Sequence, residues 1–252
     1  MSEVETVPTA PRIVIVAITK HGATQTAQLA RALPEASVCV AAKFAALMDG
    51  ISNPVHAYSG AFKDEIGGLF ERFDQIVFFV SLGAVVRLIA PHLKSKDIDP
   101  GVLVVDDAGQ FVIPVLSGHV GGANAMAERV AALTGATPVV TTASDVGKTI
   151  PVDILGRELG WKVEAPKLNI TRVSAHVVNG EPIAVVQEAG SPDWWTRPTP
   201  LPANIQRFSR FDEVDLAIFK AVLWITHAEI DATRWEQLNE RLVVYRPPIA
   251  VA

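Results

Sequence analysis

Chemistry concentrates in one stretch of this sequence, Leu116-Ser117-Gly118-His119-Val120-Gly121-Gly122-Ala123-Asn124, where three glycines fall within five positions. Each glycine gives up side-chain burial and raises the entropic cost of folding, so packing alone explains the run poorly. A backbone without Cβ atoms lets a ligand come close. Amides at the start of a following helix can face an anion or a developing oxyanion. His119 is the best acid-base candidate among the six histidines, because a neutral imidazole inside such a loop can exchange a proton near pH 7. Ser117 reads as a hydrogen-bonding residue, since Ser-Gly-His-Val-Gly lacks the Gly-x-Ser-x-Gly order of a nucleophile elbow. The plainer alternative is a tight strand-to-helix turn carrying a solvent-facing histidine.

Three further loops share the pattern of a strand end followed by small or polar residues: Thr19-Lys20-His21-Gly22, Ser81-Leu82-Gly83-Ala84-Val85-Val86-Arg87, and Thr141-Thr142-Ala143-Ser144-Asp145. Arg87 offers a planar fork to a carboxylate, or else merely interrupts an apolar helix and points to solvent. In open parallel sheets the loops beyond the carboxyl ends of the strands form the ligand crevice. The expectation is therefore that all four loops converge on one edge, with Thr19, Lys20, Gly83, Arg87, Ser117, Asn124, Thr141, Thr142 and Asp145 around the ligand. Neither the dinucleotide fingerprint nor the phosphate-binding Gly-x-x-x-x-Gly-Lys-Ser/Thr occurs. No two histidines stand at the spacing of a helical metal pair, and Asp106-Asp107 fits a turn, so no protein-bound metal or cofactor is expected. Trp194-Trp195 reads as a loop clamp or as packing between domains.

The elements that must position these residues follow from hydrophobic patterning. Residues 13–18 form a β-branched run, followed by a helical segment through residue 33, a short strand at 38–40, a helix at 62–73 and a strand at 75–80. A helix over 84–93 and a polar loop over 95–100 come next. Residues 102–105 and 111–115 flank Asp106-Asp107-Ala108-Gly109, the signature of an antiparallel hairpin. A helix over 125–134 stops at Gly135, and 138–141 reads as a strand. Beyond a boundary at 149–150, residues 152–159 and 167–178 look helical, and 191–202 is a Pro- and Trp-rich loop. Residues 183–187, the apolar run 217–226 and residues 242–245 carry strand character. The fold class is thus α/β: a first domain over 12–149 with a parallel, flavodoxin- or Rossmann-like sheet and an added hairpin, then a second α/β domain over 150–252.

A chain of 252 residues with 49% hydrophobic side chains has material for two cores, and no internal repeat is present. Its formal net charge of -5 argues against wrapping nucleic acid. The single cysteine, Cys39, excludes an intrachain disulfide and a multi-thiolate zinc site and fits a reducing compartment, so the cytoplasm is expected. Residues 1–11 carry no apolar run and read as a disordered lead-in, neither signal nor transit peptide. No stretch reaches the roughly 18 to 20 unbroken apolar residues of a membrane span.

Several of these blocks, in this order, resemble the CbiG family of anaerobic cobalamin biosynthesis. They are Gly83-Ala84-Val85-Val86-Arg87-Leu88-Ile89-Ala90-Pro91, Lys96-Asp97-Ile98-Asp99-Pro100, the Val-Val-Asp-Asp-x-Gly hairpin, the glycine loop, and Pro138-Val139-Val140-Thr141-Thr142-Ala143-Ser144-Asp145. Through residues 152–245 the likeness is one of element pattern. The resemblance implies a hydrolase that opens the δ-lactone of cobalt-precorrin 5A and releases acetaldehyde to give cobalt-precorrin 5B, with cobalt carried by the substrate. On that footing His119 is the base, the Gly121 and Gly122 amides form the oxyanion site, and Lys20 and Arg87 hold peripheral carboxylates. Family members continue past a Tyr-Arg-Pro seam into a third domain, whereas this sequence ends at Ala252, shortly after Tyr245-Arg246-Pro247-Pro248. The missing domain is either removed from this polypeptide or supplied by a separate partner. Two competing readings remain: a non-catalytic tetrapyrrole-binding module acting with that partner, and an unrelated small-molecule α/β enzyme.

Overall fold

The computed structural model describes residues 10–249, so the expected lead-in over residues 1–11 falls mostly outside the described residues. The chain folds as two compact units that divide between Val140 and Thr141, ahead of the boundary expected at 149–150.

The first unit contains β1 (Ile13–Ala17), α1 (Lys20–Ala32), β2 (Ser37–Ala41), β3 (Val55–Tyr58), α2 (Ile66–Arg72), β4 (Gln75–Phe79), α3 (Leu82–Ile89), β5 (Gly101–Val105), β6 (Phe111–Leu116), α4 (Ala123–Thr134) and the short β7 (Thr137–Pro138). Its sheet runs in the order β3-β2-β1-β4-β5-β6-β7. The first five strands of that order are parallel and follow the Rossmann sequence 3-2-1-4-5. Every residue of β1, β4 and β5 is buried, which is why these strands read as unbroken apolar runs: both sheet faces are covered. The pleat sends alternate residues to opposite cores. Ile13, Ile15, Val77, Phe79, Leu103 and Val105 pack with the alanine-rich faces of α1 and α4. Val14, Val16, Ile76, Phe78, Val102 and Val104 pack with Ile66, Leu69, Val85 and Ile89 of α2 and α3.

The hairpin reverses the chain. Asp106 holds the turn with both carboxylate oxygens, accepting from Phe111 N at 2.6 Å and Ala108 N at 3.2 Å. β6 therefore lies antiparallel to β5, and β7 runs parallel to β6.

The second unit contains α5 (Ala143–Val146), β8 (Lys162–Glu164), α6 (Lys167–Val178), β9 (Ile183–Gln187), β10 (Ile205–Phe208), β11 (Ala221–Ile225), α7 (Ala232–Leu238) and β12 (Leu242–Arg246). Its sheet order is β10-β9-β11-β12-β8, parallel except for β8 against β12. Val173 and Val177 of α6 cover one face with Trp161, Trp194 and Tyr245, and Phe211, Phe219, Trp224 and Leu238 fill the other. The buried Tyr245 hydroxyl donates to the Val152 carbonyl at 2.7 Å, fixing the segment that opens the unit.

Both units are thus α/β, as the patterning implies, with local differences. The helix expected over 152–159 is a chain of turns ending in one 3-10 turn, Arg157–Leu159. Gly156 at φ +71° stops an α-helix there, and the Trp161 ring fills the space where its side chain would stand. The strand expected over 138–141 pairs only through Thr137–Pro138. Residues 62–73 divide into a 3-10 turn and α2, and the helix expected over 84–93 starts earlier and gives way to a 3-10 turn at Ala90–His92.

Candidate functional site

The glycine loop follows β6, and β6 runs against the parallel strands. Its residues consequently stand at the amino edge of the sheet, where β4 and β5 begin. Gln75, the first residue of β4, donates from Nε2 to the Gly121 carbonyl. A Cβ on Gly121 would lie 3.2 Å from the Gly101 amide nitrogen, at the start of β5, and 2.8 Å from the Ser117 carbonyl oxygen. The loop is therefore closed on itself and on the strand starts, and no side chain fits at position 121. The same edge carries Arg12, whose guanidinium and backbone N–H hold Asp74. The hydrogen bond from Arg12 draws the Asp74 carboxyl below its ordinary pKa.

Hydrogen bonds inside the loop make it rigid. Gly122 N donates to His119 O at 2.9 Å, Ala123 N to Ser117 O at 3.2 Å, and Asn124 N to Gly118 O at 3.0 Å. Gly122 takes a left-handed conformation, φ +79°, as the N-cap of α4. These bonds correct the expectation of open amides at the helix start: the loop's own carbonyls occupy them. The Gly122 N–H could serve an oxyanion only by releasing His119 O. Ser117 has φ +54°, unusual for a residue with a side chain. Its hydroxyl and the Gln75 Oε1 are buried and lack hydrogen-bond partners among the described residues. His119, Gly121 and Gly122 are partly exposed, and Asn124 is buried.

Thr19, Lys20, Gly83 and Arg87 stand at the other edge, after the carboxyl ends of β1 and β4. Five strand residues separate the two edges, about 16 Å. This overturns the convergence of Lys20 and Arg87 with His119, and the physical reason is the direction reversal at Asp106–Gly109. At the carboxyl edge, Thr19 Oγ1 accepts from Gly22 N at 3.0 Å and so caps α1. Arg87 Nη1 turns back to Gly83 O at 2.9 Å, leaving the rest of an exposed guanidinium to solvent. His21 meets Gln25, which donates to Asp107 O at 2.9 Å and ties α1 to the hairpin turn.

Thr141, Thr142 and Asp145 belong to the second unit. Thr142 Oγ1 donates to Asp145 Oδ2 at 2.8 Å, and Arg197 Nη2 reaches Asp145 Oδ1 at 2.7 Å. Asp145 thus holds the Trp-rich loop through Arg197. In that loop Trp194 donates to Gln187 Oε1 at 2.7 Å, Trp195 donates to Thr199 O at 2.7 Å, and the Arg207 guanidinium lies 4.3 Å from the Trp194 ring centroid. Both tryptophans pack within the second unit's own core.

Sequence reasoning passed over Gln75, Arg197 and Asp99. Gln75 was detectable as the one polar residue opening an otherwise apolar strand. Asp99 was detectable in its polar loop, where it is buried and accepts from Lys94 N with both oxygens, at 3.0 and 3.1 Å.

Fold and site together define a two-unit α/β protein whose first unit presents a closed glycine loop with a partly exposed histidine. Residues 64–145 match the family described as cobalamin synthesis G N-terminal, and residues 150–247 match the cobalamin biosynthesis central region. The chain belongs to the CbiG family, of which it carries these two regions. It is 45% identical over 235 residues to the cobalt-precorrin-5A hydrolase of Priestia megaterium, covering 93% of this chain and 62% of that protein. Over 138 residues it is 33% identical to the cobalt-precorrin-5A hydrolase of Salmonella typhimurium, covering 55% of this chain and 37% of that one. The chain thus spans less than two thirds of these relatives. A solved cobalamin biosynthesis protein G homolog from Sulfolobus solfataricus shares the fold with a TM-score of 0.50 at 20% identity, covering 94% of this chain and 60% of the other. Among the described residues, no helix is long and apolar enough to cross a membrane.

Proposed function

We propose that this chain takes part in hydrolysing the δ-lactone of cobalt-precorrin 5A, yielding cobalt-precorrin 5B and acetaldehyde, with cobalt entering as part of the substrate. The observation that supports this most directly is the 45% identity over 93% of the chain to a protein named for that hydrolysis. His119 acts as general base: its imidazole takes a proton from water as the oxygen attacks the lactone carbonyl, and the ring-opened alkoxide recovers a proton. Removing the proton from the freed hydroxyl then lets its oxygen form the carbonyl of acetaldehyde as the carbon–carbon bond breaks, the electron pair of that bond passing into the conjugated macrocycle. The Gly121 amide, and Gly122 if it releases His119 O, stabilises the carbonyl oxyanion. Ser117 and Gln75 bring unspent hydrogen-bonding capacity beneath the same loop. Lys20 and Arg87 bind carboxylates at the carboxyl edge, as a site apart from the base.

His119→Ala and His119→Gln test the role of the base. The expected result is a loss of acetaldehyde release of about 100-fold or more with folding intact. Turnover above one-tenth of the original would remove His119 from the mechanism. A second reading, a tetrapyrrole-binding module that works with a partner domain, is favoured by the internal bonding of the Gly122, Ala123 and Asn124 amides, which shapes the loop without leaving it open. Tight binding of a cobalt-corrinoid analogue, with no acetaldehyde released until a C-terminal-domain protein is added, is the outcome that supports it.

A further inference from the structure

At the opposite end of the first sheet from the glycine loop's strand, the register of the edge pair places three different metal-ligating side chains together. Cys39 of β2 pairs directly with His56 of β3 in the parallel ladder, so both side chains leave the same face of the sheet. Glu65, the residue preceding α2, reaches the same point, its Oε2 lying 2.9 Å from His56 Nε2. One ligand atom from each of Cys39, His56 and Glu65 falls within 4.8 Å of the others. A tetrahedral ion with bonds of 2.0–2.3 Å needs its ligand atoms about 3.5 Å apart, so small side-chain rotations suffice.

We propose that Cys39, His56 and Glu65 form a site for a borderline-soft divalent cation of the zinc type. The donor set decides the class: one sulfur, one imidazole nitrogen and one carboxylate oxygen suit zinc, whereas magnesium and calcium take oxygen ligands. The three ligands come from two strands and the start of a helix, so the ion clips edge strand β3 to the sheet and to α2. Cys39 is buried and His56 half-exposed, and water or a small ligand would complete the tetrahedral set as the fourth ligand. The ordinary account of the same residues is a His56–Glu65 ion pair over an inert buried cysteine. It gives the Cys39 sulfur no part, and that is the point on which the two accounts separate. Tyr58 and Arg72 are the other ionisable neighbours. Burial, then the Glu65 charge, pushes the Cys39 thiol up to about 12, so an incoming ion has to displace a proton there.

The test uses the chain under reducing conditions, titrated first with zinc and then with cobalt(II) ions as a spectroscopic probe. The expected result is one high-affinity ion per chain and a near-ultraviolet sulfur-to-cobalt charge-transfer band. Cys39→Ser should abolish the band, and His56→Ala and Glu65→Gln should each weaken zinc binding roughly tenfold or more, at least the cost typical of losing a contact that supports a metal ligand. His56 is exposed enough that its replacement leaves folding intact, so a poorly folded Cys39 variant does not block the test. Absence of the charge-transfer band, or unchanged stoichiometric binding in His56→Ala, would overturn the proposal. Neither outcome bears on lactone hydrolysis, which is read by acetaldehyde release.

Discussion

Gly121→Ala is the most informative perturbation of the glycine loop. Its backbone lies outside the left-handed region, so the cost of a side chain there is steric and not conformational. The new methyl would fall on the Ser117 side chain, 2.8 Å from the Ser117 carbonyl oxygen and 3.2 Å from the Gly101 amide nitrogen. Backbone atoms cannot rotate away, so the loop must lift from the start of β5. Overpacking of this kind costs about 2 kcal/mol. For a unit of this size that corresponds to a melting temperature lower by about 4–8 °C. Ser117→Gly removes one of the obstructing atoms and relieves a residue held at φ +54°. It should be neutral or stabilising alone and should restore about 1 kcal/mol in the double variant, the size of coupling seen between touching residues. Circular-dichroism melts of the four proteins measure the cycle. A Gly121→Ala melt within about 1 °C of the parent, or strictly additive effects, would refute the close approach on which the closed loop depends.

Two stability predictions concern other elements. Tyr245→Phe leaves the buried Val152 carbonyl without its donor and should destabilise the second unit by about 1–3 kcal/mol, read from urea unfolding followed by tryptophan fluorescence. Asp74 has its pKa depressed by Arg12, so its contribution is present above the unfolded-state value and fades as acid protonates it. Both partners are well exposed and solvent screens the pair. The expected outcome is therefore a slight destabilisation of Asp74→Asn at pH 7 that begins to fade near the unfolded-state value of about 4 and is lost as the pH falls through the lower folded-state pKa, visible as converging urea midpoints. A difference that grows in acid would contradict it.

Much of the fold was legible in the residues. Unbroken apolar runs such as Ile13–Ala17 and residues 76–79 announced strands covered on both sides, and Asp106-Asp107-Ala108-Gly109 announced the hairpin. Edge strand β3 was not legible, because Val-His-Ala-Tyr is short and mostly exposed, without the alternation that a half-buried strand leaves in sequence. β8 and β10 escaped for the same reason, with two exposed residues each. The chemistry-bearing loops were legible as loops, but their grouping was not. It depends on strand direction, and the turn that reverses direction also sends the His119 loop to the edge opposite Lys20 and Arg87. The Cys39, His56 and Glu65 cluster is created by register between strands, which no spacing along the chain encodes.

A sheet roofed with helices on both faces acts as a partition between its rims. A molecule at the rim that carries Lys20 and Arg87 could not slide through that packed wall to reach the imidazole; it would have to travel around the unit. One aspartate-anchored reversal of the chain thus gives a single small unit two independent frontages, and changes made at one can be tuned without retuning the other.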